Sequence, residues 1–168
     1  MRGSLFLAFF LVASGLNARQ IDYARSSITF EATSRLMSVR GSFSEWTFKG
    51  ALDPEVRGVL EVKTASISTS NGMRDNHLRS ADFFNCEETP LALFKIQKAE
   101  QTPDGITLDG ILSIRNIEKP IQLRLTRTGN NWGGSFVIRR QDYGMNYAST
   151  LNPIGDNVRV TVSLALLP

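Results

Sequence analysis

The chain has 168 residues, 42% of them hydrophobic, a formal charge of +3 and a single cysteine, Cys86. That length suits one domain around one core, and one cysteine excludes an internal disulfide. The arginines are scattered along the chain, so the concentrated basic face that nucleic-acid binding requires is not expected.

Residues 1–18 read as a secretory leader. Arg2 is the positive start, Leu5 to Val12 the apolar run, and Ala13-Ser14-Gly15 followed by Leu16-Asn17-Ala18 the small-residue stretch, with cleavage expected after Ala18. The apolar run is too short for a membrane span. A mature domain over 19–168, delivered to the periplasm, is the expectation.

From Ile21 onward the dominant period is two. Ile28, Phe30, Ala32, Ser34 and Leu36 alternate with Thr29, Glu31, Thr33 and Arg35, as on a strand with one buried face. A second run starts at Gly41-Ser42-Phe43, and its spacing to Trp46 and Phe48 requires a bulge near Ser44-Glu45. Asp53-Pro54-Glu55 is a turn, and a strand is expected from Val59 through Ser70. Met73 to Phe84 breaks the pattern. Ser70 or Asn71 can cap a short helix there, and Asp75 precedes Arg79 by the spacing that favours an ion pair.

Extended structure restarts at Thr89-Pro90, with Phe94 and Ile96 on one side, and Pro103-Asp104-Gly105 is a hairpin turn. Ile106, Leu108, Gly110, Leu112 and Ile114 continue the alternation. A turn is expected over Asn116–Pro120, then alternation through Ile121, Leu123 and Leu125, a turn at Gly129-Asn130-Asn131, and Phe136 and Ile138 running into Arg139-Arg140. Val158 to Leu166 is the cleanest strand. The expected fold is all-β, an eight-stranded antiparallel barrel with one short helix, since closure removes exposed edges and eight strands leave room for one small ligand.

Chemistry-bearing clusters are sparse. His77 is the only histidine, and with Asp75 and Asp82 it makes a weak metal signal, so no metal site is expected. A catalytic reading would use His77 as general base oriented by Asp82 or Asp75. Cys86 reads as inert core. The aromatic residues carry more. Phe30, Phe43, Phe48, Phe83, Phe84, Phe94 and Phe136 fall where the pattern turns inward or the helix meets the barrel. With Leu36, Met37, Ile96, Ile138 and Tyr143 they form the candidate ligand-binding set. An apolar barrel interior with no buried acid or base suits a long apolar ligand, because each buried CH₂ contributes about 0.8 kcal/mol.

Arg74-Asp75 followed by His77-Leu78-Arg79-Ser80-Ala81-Asp82-Phe83 closely resembles the signature of the YceI-like family of secreted bacterial proteins. Gly41-Ser42-Phe43, Ala65-Ser66-Ile67-Ser68-Thr69, Pro90 with Phe94, and Gly110-Ile111-Leu112-Ser113-Ile114 before Lys119-Pro120 match in order. The resemblance implies a lipocalin-like barrel that binds polyisoprenoids or similar amphiphilic lipids in the periplasm. It implies a carrier without catalysis or cofactor, whose ligand is an isoprenoid, quinone-like or fatty amphiphile. A membrane-protein partner, with the chain as accessory of a redox or lipid-handling complex, and a homodimer are the further partner expectations. The chain departs from the family at Ser34-Arg35, where members often carry a histidine, so head-group specificity is not carried over.

Overall fold

A computed structural model describes residues 19–34, 38–52, 55–149 and 154–167. The expected leader, Leu36 and Met37, and the Asp53-Pro54 part of the expected turn lie outside the described residues. Ten strands and one α-helix follow in the order β1 (Ile21–Ser34), β2 (Ser38–Phe43), β3 (Trp46–Ala51), β4 (Arg57–Lys63), β5 (Ile67–Ser68), α1 (Gly72–Arg79), β6 (Leu91–Thr102), β7 (Gly105–Ile114), β8 (Ile117–Thr128), β9 (Asn131–Arg139) and β10 (Ile154–Leu166). All pairings are antiparallel within one curled sheet of order β3-β4-β6-β7-β8-β9-β10-β1-β2-β5.

The strand count is therefore ten rather than the expected eight, and the reason is local. The run through Phe43 and Trp46 breaks at Ser44-Glu45, so β2 pairs with β1 while β3 pairs with β4. The strand expected from Val59 to Ser70 breaks at a 3₁₀ turn over Thr64–Ser66, leaving β4 and the short β5. The two breaks face each other. The Ser44 N–H donates to the Ser66 carbonyl (3.3 Å) and the Lys63 N–H to the Glu45 carbonyl (2.9 Å), bridging the pairs β2·β5 and β3·β4. The ends of the sheet order are thus joined through the chain itself.

The turn expected over Asn116–Pro120 is shorter and earlier. Arg115 and Asn116 form a two-residue hairpin with φ of 53° and 60°, the geometry of the tight hairpin whose twist matches its strands. Pro120 lies inside β8, opposite Ile111. It is tolerated because β8 is paired to β9 only over Thr126–Thr128, which leaves that flank of Pro120 without a ladder partner. Where β8 and β9 part, the chain after β9 forms a 3₁₀ turn over Arg140–Tyr143. One Arg115 terminal nitrogen, Nη1, donates to the carbonyls of Phe83 (2.9 Å) and Gly144 (2.8 Å), tying the hairpin to that turn and to the segment after α1.

The inward residues of β7 alternate as the sequence requires, with Ile106, Leu108, Leu112 and Ile114 buried, and Leu123, Leu125, Ile138 and Val162 complete the same core.

Candidate ligand-binding site

Helix α1 starts where Asn71 caps it. The Asn71 side chain accepts from the Arg74 N–H at 3.0 Å, supplying one of the partners a first turn lacks. In place of the expected Asp75–Arg79 ion pair, both residues bond the segment Ala65–Thr69 that precedes the helix. Asp75, 6% exposed, accepts from the Thr69 N–H (2.8 Å) and the Thr69 hydroxyl (2.5 Å). Arg79 donates to the carbonyls of Ala65 and Ile67, each at 2.8 Å. Arg74 donates to the Thr69 hydroxyl (2.8 Å) and carbonyl (3.0 Å). Burial pushes the Asp75 carboxyl up, but the two Thr69 bonds and the charges of Arg79 and Arg74 outweigh it and hold its pKa below the usual aspartate value.

The helix so fastened lies at one end of the barrel and walls a cavity of about 470 Å³. Phe30, Phe43, Phe83, Phe84, Phe94, Phe136 and Ile138 all line it, together with Met73, Arg74, His77 and Leu78 from α1. Its aromatic rings pack on one another: Phe43 meets Phe30 and Phe84 at centroid distances of 5.7 Å each. Phe48 and Ile96 instead line a second cavity of about 290 Å³, with Trp46 and Trp132. Ile28, Leu60, Phe94, Leu123 and Val162 border both, so these residues form a waist between two chambers. Both volumes are on the scale of sites that hold small molecules, roughly 300–1,000 Å³.

Tyr143 is 1% exposed and lines neither chamber. Its hydroxyl has no hydrogen-bond partner among the described residues, and burial, with the Asp142 charge, pushes the phenol pKa up to about 12.

His77 pairs with one of its two candidate orienting carboxylates. Its Nε2 lies 2.9 Å from an Asp82 carboxylate oxygen, and its ring stands edge-on to Phe83 and Tyr147. Asp75 is committed to Thr69 and does not reach it. Among the described residues no group of three or more His, Cys, Asp or Glu is arranged to hold a metal ion.

The interior is not free of buried charge, contrary to expectation. Arg140 is 5% exposed and lines the larger chamber. The period of two that puts Phe136 and Ile138 inward does the same for Arg140, but its charge made an outward position the expectation. The 3₁₀ turn that begins at Arg140 brings the carbonyl of Met145 within reach of its guanidinium.

A curled antiparallel sheet, capped by one short helix over a two-chambered apolar interior, is a lipocalin-like architecture. The YceI-like domain model matches residues 20–166, and the chain belongs to the YceI-like family. A UPF0312 protein of Serratia proteamaculans is 31% identical over 115 residues, covering 62% of this chain. The match spans 59% of that relative's length. Among solved structures, Burkholderia cenocepacia BcnA superposes with a TM-score of 0.77 at 17% identity, covering 89% of this chain and all of that one. A polyisoprenoid binding domain from Saccharophagus degradans, described as implicated in plant cell wall breakdown, superposes with a TM-score of 0.68 at 16% identity. It covers 89% of this chain and 97% of that domain.

Proposed function

We propose that this protein is a periplasmic carrier that holds a polyisoprenoid or similar amphiphilic lipid in its barrel, without catalysis. The observation that carries this reading is the larger chamber, whose wall is built mainly from phenylalanine and aliphatic side chains and which adjoins a second apolar chamber. A flexible tail lying through both gains by area, at about 0.8 kcal/mol per buried CH₂, without a strong polar contact. The description of the Saccharophagus domain as polyisoprenoid binding supports the same ligand class. The leader-like residues 1–18 support export.

The test is direct. Protein purified without detergent is extracted with organic solvent, the extract is analysed by mass spectrometry, and the stripped protein is titrated with an apolar fluorescent probe. A co-purifying amphiphile and saturable probe binding are expected; an empty extract together with no probe binding overturns the reading.

His77 lines the chamber and pairs with Asp82 outside it, which favours one rival, an enzyme acting on the bound lipid with His77 as base. A His77→Ala protein that retains full biological activity removes that rival.

A further inference from the structure

The larger chamber is apolar along most of its wall, yet it carries charge of one sign. Among its described lining residues Arg74, His77 and Arg140 have side chains that can hold positive charge, and none has a carboxylate. Arginine stays protonated at any working pH. Taking such a charge out of water is costly unless an opposite charge compensates it.

Among the described residues Arg140 makes no direct ion pair. Its Nε donates to the Gly155 carbonyl (3.2 Å), one terminal nitrogen to the Met145 carbonyl and the other to the Ile154 carbonyl (3.2 Å). All three acceptors are neutral, and the guanidinium has N–H groups beyond these bonds. Asp156 lies within electrostatic reach of Arg140. Its oxygens, however, accept from the Gln141 N–H (3.0 Å) and from Arg139 Nε (2.8 Å). Arg74 is similar. It donates to the hydroxyl and carbonyl of Thr69, while neighbouring Asp75 spends its carboxylate on Thr69.

Arg74 lines the chamber from α1, and the turn that carries Arg140 is tied to the segment after α1 by Arg115, which bonds the carbonyls of both Phe83 and Gly144. Ile154, whose carbonyl Arg140 holds, is opposite Ser34 in the β1·β10 register, and Ser34 lines the chamber together with Asn71 and Arg74. The apolar remainder of the wall runs from there toward the waist. The arrangement is a greasy sleeve with a cationic end.

We propose that Arg140, assisted by Arg74, forms an anion subsite, and that the amphiphile held here carries a carboxylate or phosphate head. The inference rests on the lipid-binding reading and narrows its ligand class, favouring an acidic head over a neutral alcohol or quinone-like one. An arginine that served only to clamp three carbonyls would give no such preference.

The experiment uses matched pairs with identical tails, displacing an apolar fluorescent probe from the stripped full chain at neutral pH. Hexadecanoate is compared with hexadecanol, and farnesyl phosphate with farnesol. The anionic member of at least one pair is expected to bind about ten-fold tighter or more, the scale of one charge-assisted hydrogen bond. The pair with the larger ratio distinguishes a carboxylate head from a phosphate head. Arg140→Gln should bring the ratio toward one, while Arg159→Gln, on the exposed outer face of β10, should leave it unchanged. If Arg140→Gln fails to fold, Arg74→Gln and the ratio for the unaltered protein decide the matter. Ratios of one or below in both pairs, with the neutral members bound, overturn the anion subsite and leave the carrier reading standing. Failure of all four compounds and of the probe to bind removes the carrier reading itself.

Discussion

The ring of Phe94 occupies the space that a side chain on Gly110 would need. A Cβ built on Gly110 would sit 2.7 Å from Phe94 Cε2 and 2.5 Å from the Lys95 carbonyl oxygen. The two residues lie on adjacent strands, β6 and β7, with Phe94 two residues along β6 from Ile96, the register partner of Gly110. The ring they position borders both chambers. A missing side chain on one strand thus sets the shape of the waist.

Gly110→Ala should accordingly cost stability, because one of the atoms in the way is backbone and cannot swing aside. A loss of about 1–3 kcal/mol is expected, read as a lower urea midpoint at unchanged slope. Binding of a tail that must pass the waist should weaken in parallel. An alanine protein as stable as the parent would mean that Phe94 is free to move.

Phe94→Leu tests the waist from the other side. Phe94→Leu keeps an apolar side chain but removes volume, at an expected cost of about 1–3 kcal/mol, while opening the passage between the 470 Å³ and 290 Å³ chambers. The expected outcome is a shift in chain-length preference. In a series of amphiphiles with one head, affinity for the longest tails should rise relative to the shortest. An unchanged profile would show that ligands do not cross the waist.

Asp75→Asn separates charge from shape at the base of α1. The carboxylate accepts two bonds from Thr69, so its loss should destabilise the protein by about 1–3 kcal/mol at neutral pH. The folded-state pKa lies below the ordinary aspartate value of 3.8. The stability it contributes is therefore fully present above 3.8 and is lost as pH falls from there through the folded pKa. Urea denaturation from neutral to acid pH should show the difference between parent and Asp75→Asn shrinking in that acid window. A difference independent of pH would place the effect in packing.

Tyr143 makes the opposite prediction at alkaline pH. Its hydroxyl is buried and unpartnered, and its pKa is raised from 10.0 to about 12. The folded state resists ionisation, so this contribution is complete below the unfolded value of 10.0 and is lost as pH rises through about 12. Tyr143→Phe should be neutral or mildly stabilising at pH 7, since it removes a buried hydroxyl that makes no bond. It should also blunt the alkaline loss of stability, measured by thermal melting across that range.

The class of fold was open to reading from residue order because a half-buried strand has a period of two, and this chain keeps that period almost throughout. Ile106 to Ile114 and Val158 to Leu166 declare their inward faces without any partner being known. The helix was open for a different reason. Asn71 is a good cap, and Arg74, Asp75 and Arg79 are too charged for a strand between two others. The family, too, was legible there, in the order Arg74-Asp75 through Phe83.

Other features depended on distant parts of the chain. Phe48 and Ile96 follow the same alternation as Phe43 and Phe94, yet they line a different chamber, because sheet curl decides which inward residues share a space. Ten strands replaced eight because Ser44-Glu45 and the Thr64–Ser66 turn interrupt their runs opposite one another, a coincidence visible only once the pairs are formed. Asp75 chose Thr69 over Arg79, and the inward Arg140 found its partners in the carbonyls of Met145, Ile154 and Gly155, which come from beyond its own strand. Local periodicity is a property of neighbouring residues and can be read along the chain. The volume of a cavity, and the sign of the charge at its end, belong to side chains from several strands meeting in space, so only folding decides them.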